Sequence, residues 1–221
     1  MELQLLLSLA IIHSVALASP GPDFALVIKL ASQESRSTAI AAAVGISVAI
    51  LLHSLLSLTG VSLVIKSSQW LFIAVQLIGA SYLGWMGIGA VRSAVTHFKT
   101  KLAKTDSLQQ DAIIVTNTIH SGLSIKQGFL QGLYTNLLNP KAMVFFITLF
   151  SAMITPDINF ITKVSAVFIM LILSLVWFVF IALVLSKPLI QLKVKKASPV
   201  INLVTGLLFI SVAIVIVSGV F

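Results

Sequence analysis

The chain is 221 residues long, 58% hydrophobic and only 9% charged, with a mean hydropathy of +1.11. A soluble domain carries about 25% charged residues, so this composition cannot build a water-facing surface, and the surface must face lipid. The formal net charge of +8 does not point to nucleic acid, because the bases sit between apolar runs. The absence of cysteine excludes disulfides, thiol redox chemistry and thiolate metal sites.

Six apolar runs are legible in chain order, each near the length of about 20 residues that a membrane-crossing helix needs. The first covers residues 3–30; it opens on Met-Glu-Leu-Gln without the basic region of a cleaved signal peptide and is expected to persist as a helix. Ser19-Pro20-Gly21-Pro22-Asp23 interrupts it. The second (38–65) contains His53 and Gly45, and the third (69–94) carries Gln76, Gly79, Ser81, Tyr82, Gly84, Trp85, Gly87 and Gly89. Its small residues predict close helix packing. A polar, basic stretch from Thr96 to Lys126 follows. The fourth run (127–154) holds Gln131 and Asn136 and is broken at Asn139-Pro140-Lys141. The fifth (160–186) and sixth (199–220) flank a second basic connection, Lys187 to Ser198.

These runs predict an all-α membrane protein in one domain, 1–221, with six transmembrane helices. The central stretch 96–126 divides it into halves of three spans, 1–95 and 127–221. Eleven of the 14 bases fall on odd-numbered connections, which the positive-inside rule places in the cytoplasm, so both termini face outward. An odd number of spans per half gives duplicated halves opposite topology, so the prediction is two inverted three-helix repeats, an arrangement common in secondary transporters. The breaks at Ser19-Pro20 and Asn139-Pro140 fall in corresponding helices.

Proline lacks a backbone donor and its ring clashes with the preceding turn. Backbone groups freed within hydrocarbon are tolerated only where protein or a wet cavity satisfies them, so both breaks are expected to face the bundle interior. Each restarted helix offers free N–H groups and the positive end of its dipole, a seat for a carboxylate. Asp23 and Lys141 follow the two breaks; either costs about 2.5–3.5 kcal/mol at a helix centre. They are expected to neutralise each other as an interior pair, the alternative being that Lys141 snorkels and Asp23 caps a helix. His13 and His53 lie in apolar surroundings, where a histidine either relays protons or is held by a neighbour; the second is expected of His13. Tyr82, Gln76 and Trp85 are candidates to line a cavity, and Asn136 and Gln131 to meet substrate or a neighbouring helix.

Zinc, phosphate-loop and dinucleotide motifs are missing, so no cofactor or metal is called. Gly79-Ala80-Ser81-Tyr82 faintly resembles an intramembrane serine-protease turn but lacks its second glycine, which leaves an intramembrane enzyme as one alternative and a cation or metal exporter as another.

Three motifs together resemble those of the lysine exporter (LysE/RhtB) family of bacterial amino-acid efflux proteins: Ser19-Pro20-Gly21-Pro22-Asp23, Gly79-x-x-Tyr82-Leu83-x-x-x-Gly87, and Asn136-x-x-Asn139-Pro140-Lys141-x-x-x-Phe145-Phe146. The general layout is closer to the homoserine/threonine/leucine-type branch. The resemblance implies a bacterial inner-membrane exporter of amino acids or their derivatives, driven by the proton-motive force, with Asp23, Asn139, Pro140 and Lys141 in the transport site. Its partners are then the amino-acid substrate, protons and membrane lipid; small-residue stripes permit a homo-oligomer without requiring one. The expected substrate and proton pathway comprises Ser19, Pro20, Gly21, Pro22, Asp23, His53, Tyr82, Asn136, Asn139, Pro140 and Lys141.

Overall fold

The computed structural model describes residues 2–103, 122–154, 158–184 and 188–220. Among them every regular element is helical: α1 (Glu2–Ala18), α2 (Pro22–Gln33), α3 (Arg36–Ser67), α4 (Gln69–Ala103), α5 (Ile125–Leu137), α6 (Pro140–Met153), α7 (Phe160–Val184) and α8 (Pro188–Val220). Four helices (α3, α4, α7 and α8) are long and apolar enough to cross a membrane alone. The pairs α1 + α2 and α5 + α6 each qualify as one broken span, bent by 56° and 57° respectively, which brings the number of spans to as many as six. Each bend falls where proline begins the second helix, Pro22 in α2 and Pro140 in α6, since proline is tolerated in a helix's first turn and not in its interior.

The helices are apolar nearly all round, so burial follows packing more than pattern. On α1, Leu9, His13 and Leu17 are buried, whereas Leu3, Leu7 and Ile11 are exposed. Exposed apolar side chains recur on α4 (Trp70, Ile78, Trp85), α7 (Phe168, Val176, Phe180) and α8 (Ile214, Val215), the face that a bundle turns to lipid. The core joins Leu9, Leu17, Val27, Ile46, Phe145, Phe150, Met170 and Ile181 from α1, α2, α3, α6 and α7.

Close packing rests on glycine. The backbones of α4 and α8 meet at Gly87 and Gly206, where a Cβ added to either would come within 2.7 Å of the other's carbonyl oxygen. Likewise α5 lies along α3: a Cβ at Gly128 or Gly132 would run into the backbone at Thr38 or Ala42, and one at Gly45 into that of Phe129. Gly79 packs on Thr148 of α6, whereas Gly89 meets nothing, so only part of the third run's small-residue pattern is packing.

Two boundaries differ from the sequence expectation, whereas the first run is interrupted between α1 and α2 where the prolines predicted. The basic connection before the sixth run is largely helical, because α8 starts at Pro188 and continues through Pro199; its membrane-length portion is Lys196–Val220, so the added turns are a polar extension of that span. Similarly α4 continues to Ala103, beyond its apolar run. Residues 104–121 of the central connection, with Lys104, Asp106 and Asp111, and also Lys187, lie outside the described residues.

Polar bonds tie the ends of the broken spans to the other half of the chain. Glu34, just after α2, accepts from the Leu123 N–H at 3.1 Å, and the Thr38 hydroxyl donates to the Leu123 carbonyl at 3.0 Å. Ser124 then caps α5 through a reciprocal capping box with Gln127. Near the opposite ends, the Glu2 carboxylate accepts from Asn159 Nδ2 at 3.2 Å and Thr162 Oγ1 at 2.9 Å.

Candidate functional site

The two helix breaks meet in the interior. Asp23, in the first turn of α2, accepts through Oδ2 from Asn136 Nδ2 at 3.0 Å and from Asn139 Nδ2 at 3.3 Å. Asn136 closes α5 and Asn139 is the N-cap of α6, where its Oδ1 accepts the Lys141 N–H at 3.0 Å. The Lys141 ammonium reaches back across the bundle to donate to Ser19 Oγ at 2.7 Å and stands 5.9 Å from the Phe209 ring centroid, within range of a cation–π attraction. The expected Asp23–Lys141 ion pair is therefore not what forms: no salt bridge joins them, because two amides hold the carboxylate and a hydroxyl holds the ammonium. Both charges stay in one site, each with hydrogen-bonding capacity to spare.

Those residues wall a partly open chamber of about 60 Å³. Ser19, Gly21, Asp23, Asn136, Asn139 and Lys141 supply its polar side; Phe24, Phe145, Phe146, Phe178 and Phe209 supply much of the apolar side. Two acceptors there are buried without a partner, Asp23 Oδ1 and Asn136 Oδ1. A buried polar group left unpaired costs about 1–3 kcal/mol, so these atoms mark where a donor is missing. The opposite charge preference lies around Lys141. Gly21, the N-cap of α2, provides no side-chain cap, and a Cβ on it would sit 3.8 Å from Lys141 Nζ. The positive end of α2 and the lysine ammonium thus adjoin. The α6 terminus is less open than the α2 terminus, because Asn139 already occupies one of its N–H groups.

Of the other expected residues, Pro22 and Pro140 shape the site by starting α2 and α6. Pro20 lines a neighbouring cleft of about 390 Å³ that shares Ser19, Lys141 and Phe209 with the chamber. His53 is buried behind the polar wall: its Nε2 bonds the Asn136 carbonyl oxygen at 3.2 Å and its ring stacks on Phe146. Tyr82 is not among the chamber's lining residues and packs on Trp85, which lines the neighbouring cleft. Gln76 lines a separate cleft of about 460 Å³ and ties α4 to α6 by donating to the Ser151 carbonyl at 3.0 Å.

The chamber also contains His13, which the sequence expected to be held by a neighbour and did not place in the site. His13 lines it, buried between α1 and α7, with Nε2 2.8 Å from Ser174 Oγ. A histidine in an apolar run is visible in sequence; a partner 161 residues away is not. Among the described residues, no group of three His, Cys, Asp or Glu side chains could hold a metal ion.

Comparison with known proteins gives a consistent relationship. The model of the family described as LysE type translocator matches residues 14–219. The chain is 31% identical over 207 residues to the threonine efflux protein of Escherichia coli K12, and 30% identical over 207 residues to that of Salmonella typhi, covering 94% of this chain and of each relative. It is 26% identical to an uncharacterized membrane protein of Haemophilus influenzae, covering 96% of both chains. No solved structure matches. The chain belongs to the LysE type translocator family, and is a multi-pass membrane transporter rather than an enzyme.

Proposed function

We propose that this protein exports amino acids or close derivatives across the bacterial inner membrane, in exchange for protons drawn by the proton-motive force. The observation that carries the reading is the chamber itself. Asp23 and Asn136, each with an unpartnered acceptor, line the same chamber as Lys141 and the uncapped start of α2. That is a template for a zwitterion, with the substrate's ammonium on Asp23 and Asn136 and its carboxylate on Lys141 and the α2 N–H groups. The likeness to threonine efflux proteins supports a neutral amino acid as cargo.

Coupling follows from the same carboxylate. When the substrate's ammonium leaves, Asp23 takes a proton from the outer side and releases it inward before the next substrate binds. Each charge moved is worth about 2.3 kcal/mol per 100 mV. His53, bonded to the backbone of Asn136, is the nearest relay behind Asp23. Alternating access needs a second form of this chamber, open to the other side of the membrane. The bends of 56° and 57° are the hinges between that form and this one, in two inverted repeats (1–95 and 127–221) with both termini outside.

Efflux from cells preloaded with a panel of labelled amino acids tests the reading. The expected result is faster loss of one or a few neutral amino acids, threonine among them, when the chain is present, slowed by an uncoupler. Unchanged efflux of every amino acid would remove the substrate class; efflux indifferent to the uncoupler would remove the proton coupling.

A further inference from the structure

We infer that His13 selects the substrate by its side chain, its Nδ1 accepting a hydrogen bond from a hydroxyl on the transported amino acid. The inference rests on the export function proposed above and adds a specificity-determining residue to it. Ser174 fixes the proton arrangement. Its hydroxyl lies 2.7 Å from the Met170 carbonyl oxygen and 2.8 Å from His13 Nε2. A serine has one proton to donate, and a carbonyl can only accept. The hydroxyl proton therefore goes to Met170, and His13 Nε2–H donates to Ser174. That assignment makes Nδ1 the bare acceptor of the ring, and Nδ1 is buried with no hydrogen-bond partner.

The setting makes this acceptor a reader of side chains. His13 is only 2% exposed and lines the chamber, yet it bonds to none of Asp23, Asn136, Asn139 or Lys141. Its ring is packed by Phe145 at 6.2 Å and Phe146 at 5.6 Å between centroids. With the zwitterionic end of the substrate held on the polar wall, the side chain projects toward these apolar walls and one unpaired nitrogen. A β-hydroxyl satisfies that nitrogen while a neighbouring methyl rests on the phenylalanines. An isostere lacking the hydroxyl leaves Nδ1 without a donor.

The test compares efflux of labelled threonine, valine and alanine from cells expressing the full chain as wild type, His13→Leu, His13→Phe or Asp23→Asn. Threonine and valine are nearly isosteric; alanine reports transport that needs no side-chain contact. The wild type is expected to prefer threonine over valine by at least about tenfold, the scale set by leaving one buried acceptor unpaired. Either histidine variant should bring that ratio to within about twofold of unity, with threonine efflux falling further than alanine efflux. Equal export of threonine and valine by the wild type would overturn the inference. So would a loss of all three substrates in step in both histidine variants, which is the outcome of a merely structural His13. Asp23→Asn separates the two levels: if it abolishes all efflux while the His13 variants keep the threonine preference, only this inference falls. If it leaves efflux intact, the chamber reading falls and the inference with it.

Discussion

Asn139 uses one side-chain amide for two tasks: its oxygen caps α6 at Lys141 and its nitrogen holds Asp23. An N-cap contributes about 1 kcal/mol, and a hydrogen bond to a charged group about 1.5–3 kcal/mol. Asn139→Ala should therefore lower Tm measurably for the purified protein in detergent as well as impair transport; an unchanged Tm would show that neither bond matters to the fold. Asp23 and Lys141 stood out in sequence because a charge within an apolar run needs a reason. Their pairing did not follow, because the competing partners, Asn136, Asn139 and Ser19, lie more than a hundred residues from the groups they hold. His13 was expected to be held by a neighbour, as Ser174 holds it, but its place on the chamber was not legible, because that partner lies 161 residues away.

Glycines set how closely the helices approach one another. Gly132 of α5 lies against the backbone of Ala42 in α3, with no room for a Cβ, whereas Gly60 of α3 has open space around it. Gly132→Ala should cost about 1–3 kcal/mol through forced separation of α3 and α5. Gly60→Ala should change stability by no more than about 1 kcal/mol, with a gain from better helix propensity. Thermal unfolding of both variants checks the contrast, and equal effects would contradict this packing. The helices and both breaks were legible because apolar length and proline are local signals. The helical start of α8 was hidden by its lysines, which look like a loop when the pattern sought is hydrocarbon. The central connection beyond Ala103 bears on topology through its charge alone.

At the scale of the molecule, the bases on odd-numbered connections predict the orientation proposed above. The lack of native cysteine makes it testable. Ser37→Cys, on the exposed start of α3, should resist an impermeant thiol reagent in intact cells, and Phe160→Cys, on the exposed start of α7, should react. The reverse pattern would invert the molecule. In the proposed cycle, alternating access depends on the two bent spans, which bring an acid from one half of the chain to two amides and a lysine from the other. The central claim is that the Asp23 charge binds the cargo and the proton in turn. The most direct measurement is threonine efflux from preloaded cells expressing the wild type, Asp23→Asn or Asp23→Glu at matched membrane levels. Asn keeps the size and loses the charge, so it should bring efflux down to that of cells without the chain, while Glu retains a measurable fraction. Wild-type efflux from the Asn variant would show that no charge is needed at residue 23 and would contradict the account.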